Sequence, residues 1–157
     1  MRLKDRAITD TTVIDSLLAK ATTCRLGMCA DNVPYVVPMN FAHEGNTVFL
    51  HCAKKGKRYD ILKKNPNVCF EIDIDGGPIP SPVPQNACKS SYAYQSLIAN
   101  GKVRFIDDEA EKTSVLNLIC KKYFDTTQPM AAEGIRGTLI LAIEMEELTA
   151  KQAGNWE

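Results

Sequence analysis

Residues 47–66, TVFLHCAKKGKRYDILKKNP, decide how the rest of the chain is interpreted. Apolar side chains recur up to His51 and Cys52, as is typical of a β-strand. A short turn containing glycine follows, and Lys57 and Arg58 open a segment with a weak apolar face that ends in Asn-Pro, which is typical of a short helix. The sequence therefore predicts a strand that runs through a basic turn into the start of a helix.

This predicted junction is suited to binding an anion. A helix N-terminus presents free backbone N–H groups and the positive end of the helix dipole. Arg58 can bind a phosphate in fork geometry, and Lys57 adds a point charge, so the two would form a cradle for a phosphate monoester. The alternative is a solvated basic loop that also includes Lys54 and Lys55, and charge alone does not decide between the two.

Short strands are predicted on both sides of this junction. They lie around Leu26 and Met28 and at residues 35–42, 47–52, 67–73, 91–106 and 137–148. Turns at Asp31-Asn32 and at residues 44–46 join the first three strands into an antiparallel meander. Residues 76–89, GGPIPSPVPQNACK, contain four of the eight prolines and predict a surface excursion without regular pairing.

Three helices are predicted between the strands. They cover residues 11–21, the segment after the basic turn, and residues 108–124, where acids in the first turn and lysines in the last suit the helix dipole. About six mostly antiparallel strands with inserted helices indicate a mainly β protein built as a small closed or partly split barrel. No internal repeat or linker is visible, so residues 1–157 are expected to form one domain.

Composition narrows the class of partner. The 157 residues include 19 basic and 19 acidic side chains, so the net charge is zero. Nucleic acids and anionic membranes select surplus positive charge, and neither is expected as a partner. No stretch approaches the roughly 20 apolar residues that span a bilayer. The N-terminus lacks the apolar core of a signal peptide, so a cytoplasmic protein is expected.

Several common site motifs are missing from the chain. The six cysteines include no Cys-x-x-Cys pair, and His43 and His51 stand apart from any regular cysteine spacing. Reduced thiols that pack as small hydrophobes are therefore expected, rather than a zinc site. The sequence contains no Gly-x-Gly-x-x-Gly, phosphate-loop, Gly-x-Ser-x-Gly or His-Glu-x-x-His motif. Pattern alone leads no further than a soluble antiparallel barrel.

Four blocks of the chain resemble the pyridoxamine 5'-phosphate oxidase-like flavin split-barrel superfamily, and above all its nitroimidazole-resistance branch. They are YVVPMNFA (35–42), TVFLHCAKKGKRYDILKKNPNVCFEID (47–73), SSYAYQSLIANGKVRFIDDEAEK (90–112) and EELTAKQAGNW (146–156). The likeness runs in order over residues 2–156. It implies a six-stranded antiparallel Greek-key split β-barrel that forms a homodimer, with FMN bound in two equivalent clefts between the subunits.

The resemblance also implies which residues contact FMN. Those of one subunit are Pro38, Met39, Asn40, His51, Cys52, Ala53, Lys57 and Arg58, and those of the second are Tyr92, Gln95 and Ser96, with Trp156 as a C-terminal aromatic that covers the cleft. The strand through Met39 would follow the flavin ring by backbone contacts. Lys57 and Arg58 take the place of the family's phosphate-binding pair, which agrees with the cradle inferred from the residues alone.

Three features depart from the family pattern. Cys52 stands where Ser or Thr is more frequent, and it is a poorer hydrogen-bond partner. Gln95 stands where the nitroimidazole-resistance branch commonly has Arg, which removes a cation from the second subunit's contribution. The oxidase's C-terminal substrate motif, rich in Arg and His, is absent, so pyridoxamine phosphate is not the expected substrate.

The function implied by the resemblance is an FMN-dependent oxidoreductase that reduces a small, electron-poor, nitroaromatic-like molecule. The flavin would carry the hydride or electrons, so no catalytic side chain is required, and His51 is the one side chain retained as a catalytic candidate. Three alternatives stay open: a non-catalytic flavin-binding protein, a haem-binding relative with His51 or His43 as axial ligand, and a structural dimer without cofactor.

Overall fold

The computed structural model describes residues 4–127 and 129–156, so residues 1–3, 128 and 157 of the expected domain lie outside the described part. The strands of the described part are β1 (Ala7–Ile8), β2 (Cys24–Ala30), β3 (Val33–Met39), β4 (Phe41–Glu44), β5 (Thr47–Ala53), β6 (Asn67–Ile79), β7 (Ser91–Ile106) and β8 (Thr138–Ala153). Its α-helices are α1 (Thr11–Lys20), α2 (Lys57–Lys64), α3 (Glu109–Phe124) and α4 (Ala132–Gly137). Single 3-10 turns cover Lys4–Arg6 and Ala87–Lys89.

The strands form one antiparallel sheet in the order β3-β2-β6-β7-β8-β5-β4, with the short β1 paired to β8. Its two end strands, β3 and β4, follow each other directly in the chain through Asn40. The sheet therefore curls so that its two end strands come together. The chain itself joins them at Asn40, whereas no hydrogen-bonded ladder pairs β3 with β4 in the strand order. This is a split barrel, and it confirms the predicted mainly β fold with inserted helices.

The strand count differs from the prediction of about six. The predicted strand at residues 35–42 is broken at Asn40, because β3 pairs with β2 whereas β4 pairs with β5 at the opposite end of the sheet. The two-residue β1 adds a further strand, and periodicity over two residues leaves no signal. The eight strands of the described residues are thus an extension of the predicted set.

The proline-rich segment is also more regular than predicted. Its first residues belong to β6, where Gly77, Pro78 and Ile79 pair with residues 91–93 of β7. Strand β2 covers β6 only over Val68–Glu71, so this end of β6 is a free edge. An edge strand tolerates a proline, because the missing N–H faces no ladder partner there. The irregular excursion is therefore confined to residues 80–90.

The helices cap and cover the sheet. α1 and α3 begin as predicted, each after an aspartate, whereas the short α4 before β8 was not predicted. No helix among residues 4–127 and 129–156 is both long enough and apolar enough to cross a membrane.

The apolar core has two parts. The barrel interior contains Phe41 and Phe70, whose rings meet edge to face with centroids 5.2 Å apart. A second cluster, including Ile106 and Ile140, lies on the outer face of the sheet beneath α3. Fully burying one such large apolar side chain stabilises the fold by about 1.5–3 kcal/mol. These two layers hold β5 between them and thereby position the junction with α2.

Candidate functional site

The β5–α2 junction, residues 51–58, leaves a helix start without a side-chain cap. Gly56 precedes α2 with a φ of 104°, a conformation that glycine adopts at little steric cost. In α1 and α3, the carboxylates of Asp10 and Asp108 each accept a hydrogen bond from a first-turn N–H, at 2.8 Å in both cases. Gly56 has no side chain to do this, so the first N–H groups of α2 are available to an anion.

Arg58 brings a cation with a spare donor to this helix start. Its Nη1 donates to Sδ of Met39 at 3.4 Å, which ties the first turn of α2 to the end of β3. Its Nε is buried and has no hydrogen-bond partner, and no other buried side-chain N or O of the described residues is in that state. A buried donor without a partner costs about 1–3 kcal/mol, so the position of Arg58 favours an acceptor supplied by a ligand.

The side chains of Lys57 and Arg58 contact different residues of β3. Nζ of Lys57 lies 4.5 Å from the ring centroid of Tyr35, a cation–π contact. Tyr35 and Met39 are four residues apart on β3 and therefore share one face of that strand. The two cations consequently spread along β3 rather than forming a single point of charge. Tyr35 was not among the predicted site residues, since only the pairing of α2 with this face of the sheet brings it close.

His51 and Cys52 lie at the end of β5 and face opposite sides of the sheet, as alternation requires. Cys52 faces the barrel interior with Met39, and burial raises the pKa of its thiol although the neighbouring Arg58 acts in the opposite direction. His51 is exposed on the other face, where partial desolvation and then the charge of Arg58 lower the pKa of the imidazole. At pH 7 both side chains are therefore uncharged.

The other predicted residues of the first subunit's set are Pro38, Asn40 and Ala53. They lie around the seam of the barrel, which is the β3–β4 connection at Asn40. Pro38 and Ala53 are exposed at strand ends, and Asn40 donates from Nδ2 to the carbonyl oxygen of Thr22 at 3.2 Å. The hydroxyl of Tyr123 accepts from the Phe41 N–H at 2.9 Å and lies 2.8 Å from the Thr22 carbonyl oxygen. Tyr123 thus links α3 to the β3–β4 connection through these hydrogen bonds. The sequence did not predict this role, because Tyr123 fits the helix pattern of α3 like any other residue.

The other predicted residues form a second group, here called the β7 group: Tyr92, Gln95, Ser96 and Trp156. Gln95 is buried and donates from Nε2 to Oε1 of Gln152 at 3.0 Å, while the Tyr92 hydroxyl donates to Asp75 at 2.9 Å. Ser96 is buried next to Gln95 on β7.

Trp156 is seated against its own chain. Its indole N–H donates to the carbonyl oxygen of Ala153 at 2.9 Å. Its ring lies so close to Gly76 that a Cβ there would come within 2.7 Å of the ring and within 2.8 Å of the Ala93 methyl. The absence of a side chain at Gly76 therefore leaves the space that the Trp156 ring occupies. This role was not predicted, because residues 76–89 were expected to form a surface excursion.

Strand β8 shows that one chain does not bring the two groups together. His51 pairs with Ile140 of β8, whereas Gln95 pairs with Gln152, twelve residues further along the same strand. At about 3.3 Å per residue, the two positions are separated by about 40 Å of strand. Within one chain, the β5–α2 junction and the β7 group therefore lie beside opposite ends of β8.

The described residues also form cavities away from both groups. One of about 580 Å³ is on the outer face of β2, β3 and β6, next to Gly27, Val36 and Cys69, and none of the predicted cofactor residues lines it. Val36 on this face is 60% exposed.

This fold and this junction define a split-barrel protein with a candidate phosphate site at a helix start. Residues 10–152 match the pyridoxamine 5'-phosphate oxidase family, and the chain belongs to that family. An uncharacterized protein of Rhizobium meliloti (strain 1021) is 34% identical over 147 residues, which cover 87% of this chain and 88% of the relative.

Solved structures agree with this assignment. A proposed 5-nitroimidazole antibiotic resistance protein from Bacteroides thetaiotaomicron VPI-5482 superimposes with a TM-score of 0.81 at 29% identity, covering 93% of this chain and 86% of that one. The FAD and heme binding protein from Mycobacterium smegmatis has a TM-score of 0.86 at 16% identity, with coverage of 96% and 75%. The second likeness supports the fold alone. The resemblance inferred from the sequence is confirmed.

Proposed function

We propose that this protein is an FMN-dependent oxidoreductase that reduces small, electron-poor molecules of the nitroaromatic type. The observation that carries the proposal is the β5–α2 junction. It combines an uncapped helix start, two cations and the partnerless Nε of Arg58. A terminal phosphate monoester carries up to two negative charges and several acceptor oxygens, so it complements this set of donors. FMN ends in such a phosphate.

We place the cofactor between two copies of the chain. The separation of the β5–α2 junction from the β7 group along β8 supports a homodimer, in which each site takes one group from each subunit. A two-fold axis makes such sites equivalent and occurs in most small homo-oligomers. The second copy would cover the outer face of β2, β3 and β6 around Val36, which is 60% exposed in a single chain.

The side chains of the site would bind and orient rather than react. Bound FMN would supply the hydride or electron transfer. Lys57 and Arg58 would hold its phosphate, and the free backbone edge of β3 near Met39 would offer hydrogen bonds to its ring. His51 can donate or accept a hydrogen bond near neutral pH without adding a charge, because its pKa is lowered. The raised pKa of Cys52 keeps that residue a thiol, which makes it a poor nucleophile.

The relatives bear on the substrate and on the alternatives. The 29% identical structure, proposed as a 5-nitroimidazole resistance protein, supports an electron-poor nitro compound as the substrate class. The Mycobacterium smegmatis neighbour keeps a non-catalytic flavin- or haem-binding role as the second candidate. His43 pairs with Val48 on β5 and so lies on the opposite face of the sheet from His51, and the two histidines of one chain cannot ligate one iron.

The test uses the full chain as purified and after titration with FMN or with haem. The proposal expects a yellow protein with a flavin spectrum, tight FMN binding, and reduction of nitroaromatics by a nicotinamide donor. Bound flavin without turnover would favour the non-catalytic role, and a Soret band in place of flavin absorption would favour haem. A colourless protein that ignores FMN would overturn the cofactor assignment.

A further inference from the structure

The side chain of Lys57, the first residue of α2, is held in place by the ring of Tyr35 on β3. Nζ of Lys57 lies 4.5 Å from the centroid of that ring. Lys57 is exposed, and an exposed lysine without such a contact samples many rotamers. A cation within about 6 Å of an aromatic face is attracted by the quadrupole of the ring. The contact therefore gives the ammonium a preferred position beside β3.

Tyr35 is a rigid partner for this flexible side chain. Its backbone pairs with Met28 of β2, and its side chain is partly buried against the apolar core of the barrel. An aromatic side chain has only two rotatable torsions, so little conformational entropy opposes its fixed position. The position of Lys57 is therefore set by the sheet and not by α2 alone.

Without the ring, a carboxylate of the same helix would compete for Lys57. Asp60 is exposed in the first turn of α2, three residues after Lys57, a spacing at which opposite charges on a helix attract each other. No ion pair among residues 4–127 and 129–156 includes Lys57, and its Nζ lies over the Tyr35 ring instead. An ammonium has three N–H donors, and a ring on one side leaves donors for an acceptor on another. Tyr35 thus keeps the charge and the donors of Lys57 available to a ligand.

We propose that Tyr35 is a positioning residue of the FMN phosphate site, where its ring holds the ammonium of Lys57 beside the start of α2. This inference rests on the function proposed above and adds to it a residue that acts through Lys57. Arg58, the next residue of the helix, donates to Met39 of the same strand at 3.4 Å. Both cations of the site are therefore held by β3. The strand expected to follow the flavin ring thus also positions the groups expected to bind its phosphate.

The experiment compares the affinities of FMN and of riboflavin, which lacks the phosphate, by fluorescence titration of the full chain and two variants. Tyr35→Leu keeps an apolar side chain but has no aromatic face, so it should weaken FMN binding about two- to fivefold. Its affinity for riboflavin should stay unchanged. Tyr35→Phe keeps the ring and should bind both ligands like the unmodified chain. If Tyr35→Leu weakens both ligands equally or neither, or if Tyr35→Phe is as weak as Tyr35→Leu for FMN, the inference is wrong.

A double-mutant cycle tests whether Tyr35 acts through Lys57. In a chain that already carries Lys57→Ala, Tyr35→Leu should cause no further loss of FMN affinity. An equal loss with and without Lys57 would contradict the inference.

Tyr59→Leu is the matched control for the loss of an aromatic ring next to α2. The Tyr59 ring lies 5.4 Å from Nζ of Lys63, a residue in the last turn of the helix, so FMN affinity should stay unchanged. A loss as large as that of Tyr35→Leu would show a general packing effect and overturn the assignment of Tyr35. An unmodified chain that binds no FMN would instead contradict the proposed function itself, and the two failures are thereby distinguished.

Discussion

The guanidinium of Arg58 donates to the sulfur of Met39 at 3.4 Å, across 19 residues of sequence. This contact fastens the first turn of α2 to the end of β3, beside the seam of the barrel. It leaves Nε of the same guanidinium buried without a partner. One side chain thus joins the strand expected to follow the flavin ring to the helix start expected to bind the phosphate.

Replacing both anchoring cations should weaken FMN binding strongly. Charged hydrogen bonds contribute about 1.5–3 kcal/mol each, so Lys57→Ala with Arg58→Ala is expected to cost several kcal/mol of binding free energy. Quenching of flavin fluorescence on titration measures the affinity. Lys63→Ala, an exposed position in the last turn of the same helix, is the matched control and should bind FMN normally. An unchanged affinity in the double variant would place the phosphate elsewhere.

A shared site can be rebuilt from two defective subunits. Protomers with Lys57→Ala and Arg58→Ala should bind little FMN, and protomers with Tyr92→Ala and Trp156→Ala should bind it weakly. Unfolding, mixing and refolding the two would form hybrids with one intact site each, so about a quarter of the normal FMN sites should return. Equilibrium dialysis counts the bound flavin. A mixture that binds no more than the average of its parents would show that the site lies within one chain.

Adding a single methyl group at Gly76 should displace Trp156. The new Cβ would lie 2.7 Å from the indole ring and 2.8 Å from Ala93, and overpacking of this kind costs about 1–3 kcal/mol. Since Trp156 is the only tryptophan of the chain, Gly76→Ala should shift its fluorescence emission and increase its quenching by acrylamide.

Gly134→Ala is the control for that substitution. Gly134 lies in α4, and a Cβ there would meet nothing within 4 Å, so emission should stay unchanged. If Gly76→Ala leaves the emission and quenching of Trp156 unchanged, the indole ring does not pack against Gly76.

Stability should fall as pH drops through the range of histidine. Burial and then the charge of Lys122 lower the pKa of folded His43 from 6.5. The unfolded chain therefore binds more protons below that value, and the free energy of unfolding decreases as pH falls from about 7.5 to 5.5.

Urea unfolding at several pH values measures this slope. His43→Gln should reduce it, because the variant has no imidazole to titrate at this position. His51→Gln should also reduce it, since the pKa of His51 is lowered as well. A slope that neither substitution changes would show that both imidazoles titrate alike in the folded and unfolded chains.

Local signals in the sequence predicted the elements of the candidate site. The strand through His51, the turn at Gly56 and the helix from Lys57 were all expected, because strand alternation and helix starts depend on residues near in sequence. The end of the predicted strand at residues 35–42 was wrong, because Asn40 marks a change of pairing partner, and a change of partner leaves no local pattern.

Other parts of the site depend on contacts that no local pattern contains. Tyr123 reaches the seam of the barrel from α3, across 101 residues to Thr22. Gly76 supports Trp156 from the far end of the chain. Neither role could be predicted, because each residue is ordinary within its own segment and acquires its role only from the residue it meets.

By itself, the sequence determined the alternation of strands, the uncapped basic helix start and the likeness to a flavin-binding superfamily. These depend on side-chain types at short spacing, where the geometry of the chain leaves few choices. Only the tertiary structure decided that Arg58 meets Met39, and that Gln95 lies twelve residues along β8 from the partner of His51. Strand register and barrel closure set such distances, and both result from packing between segments that are far apart in sequence.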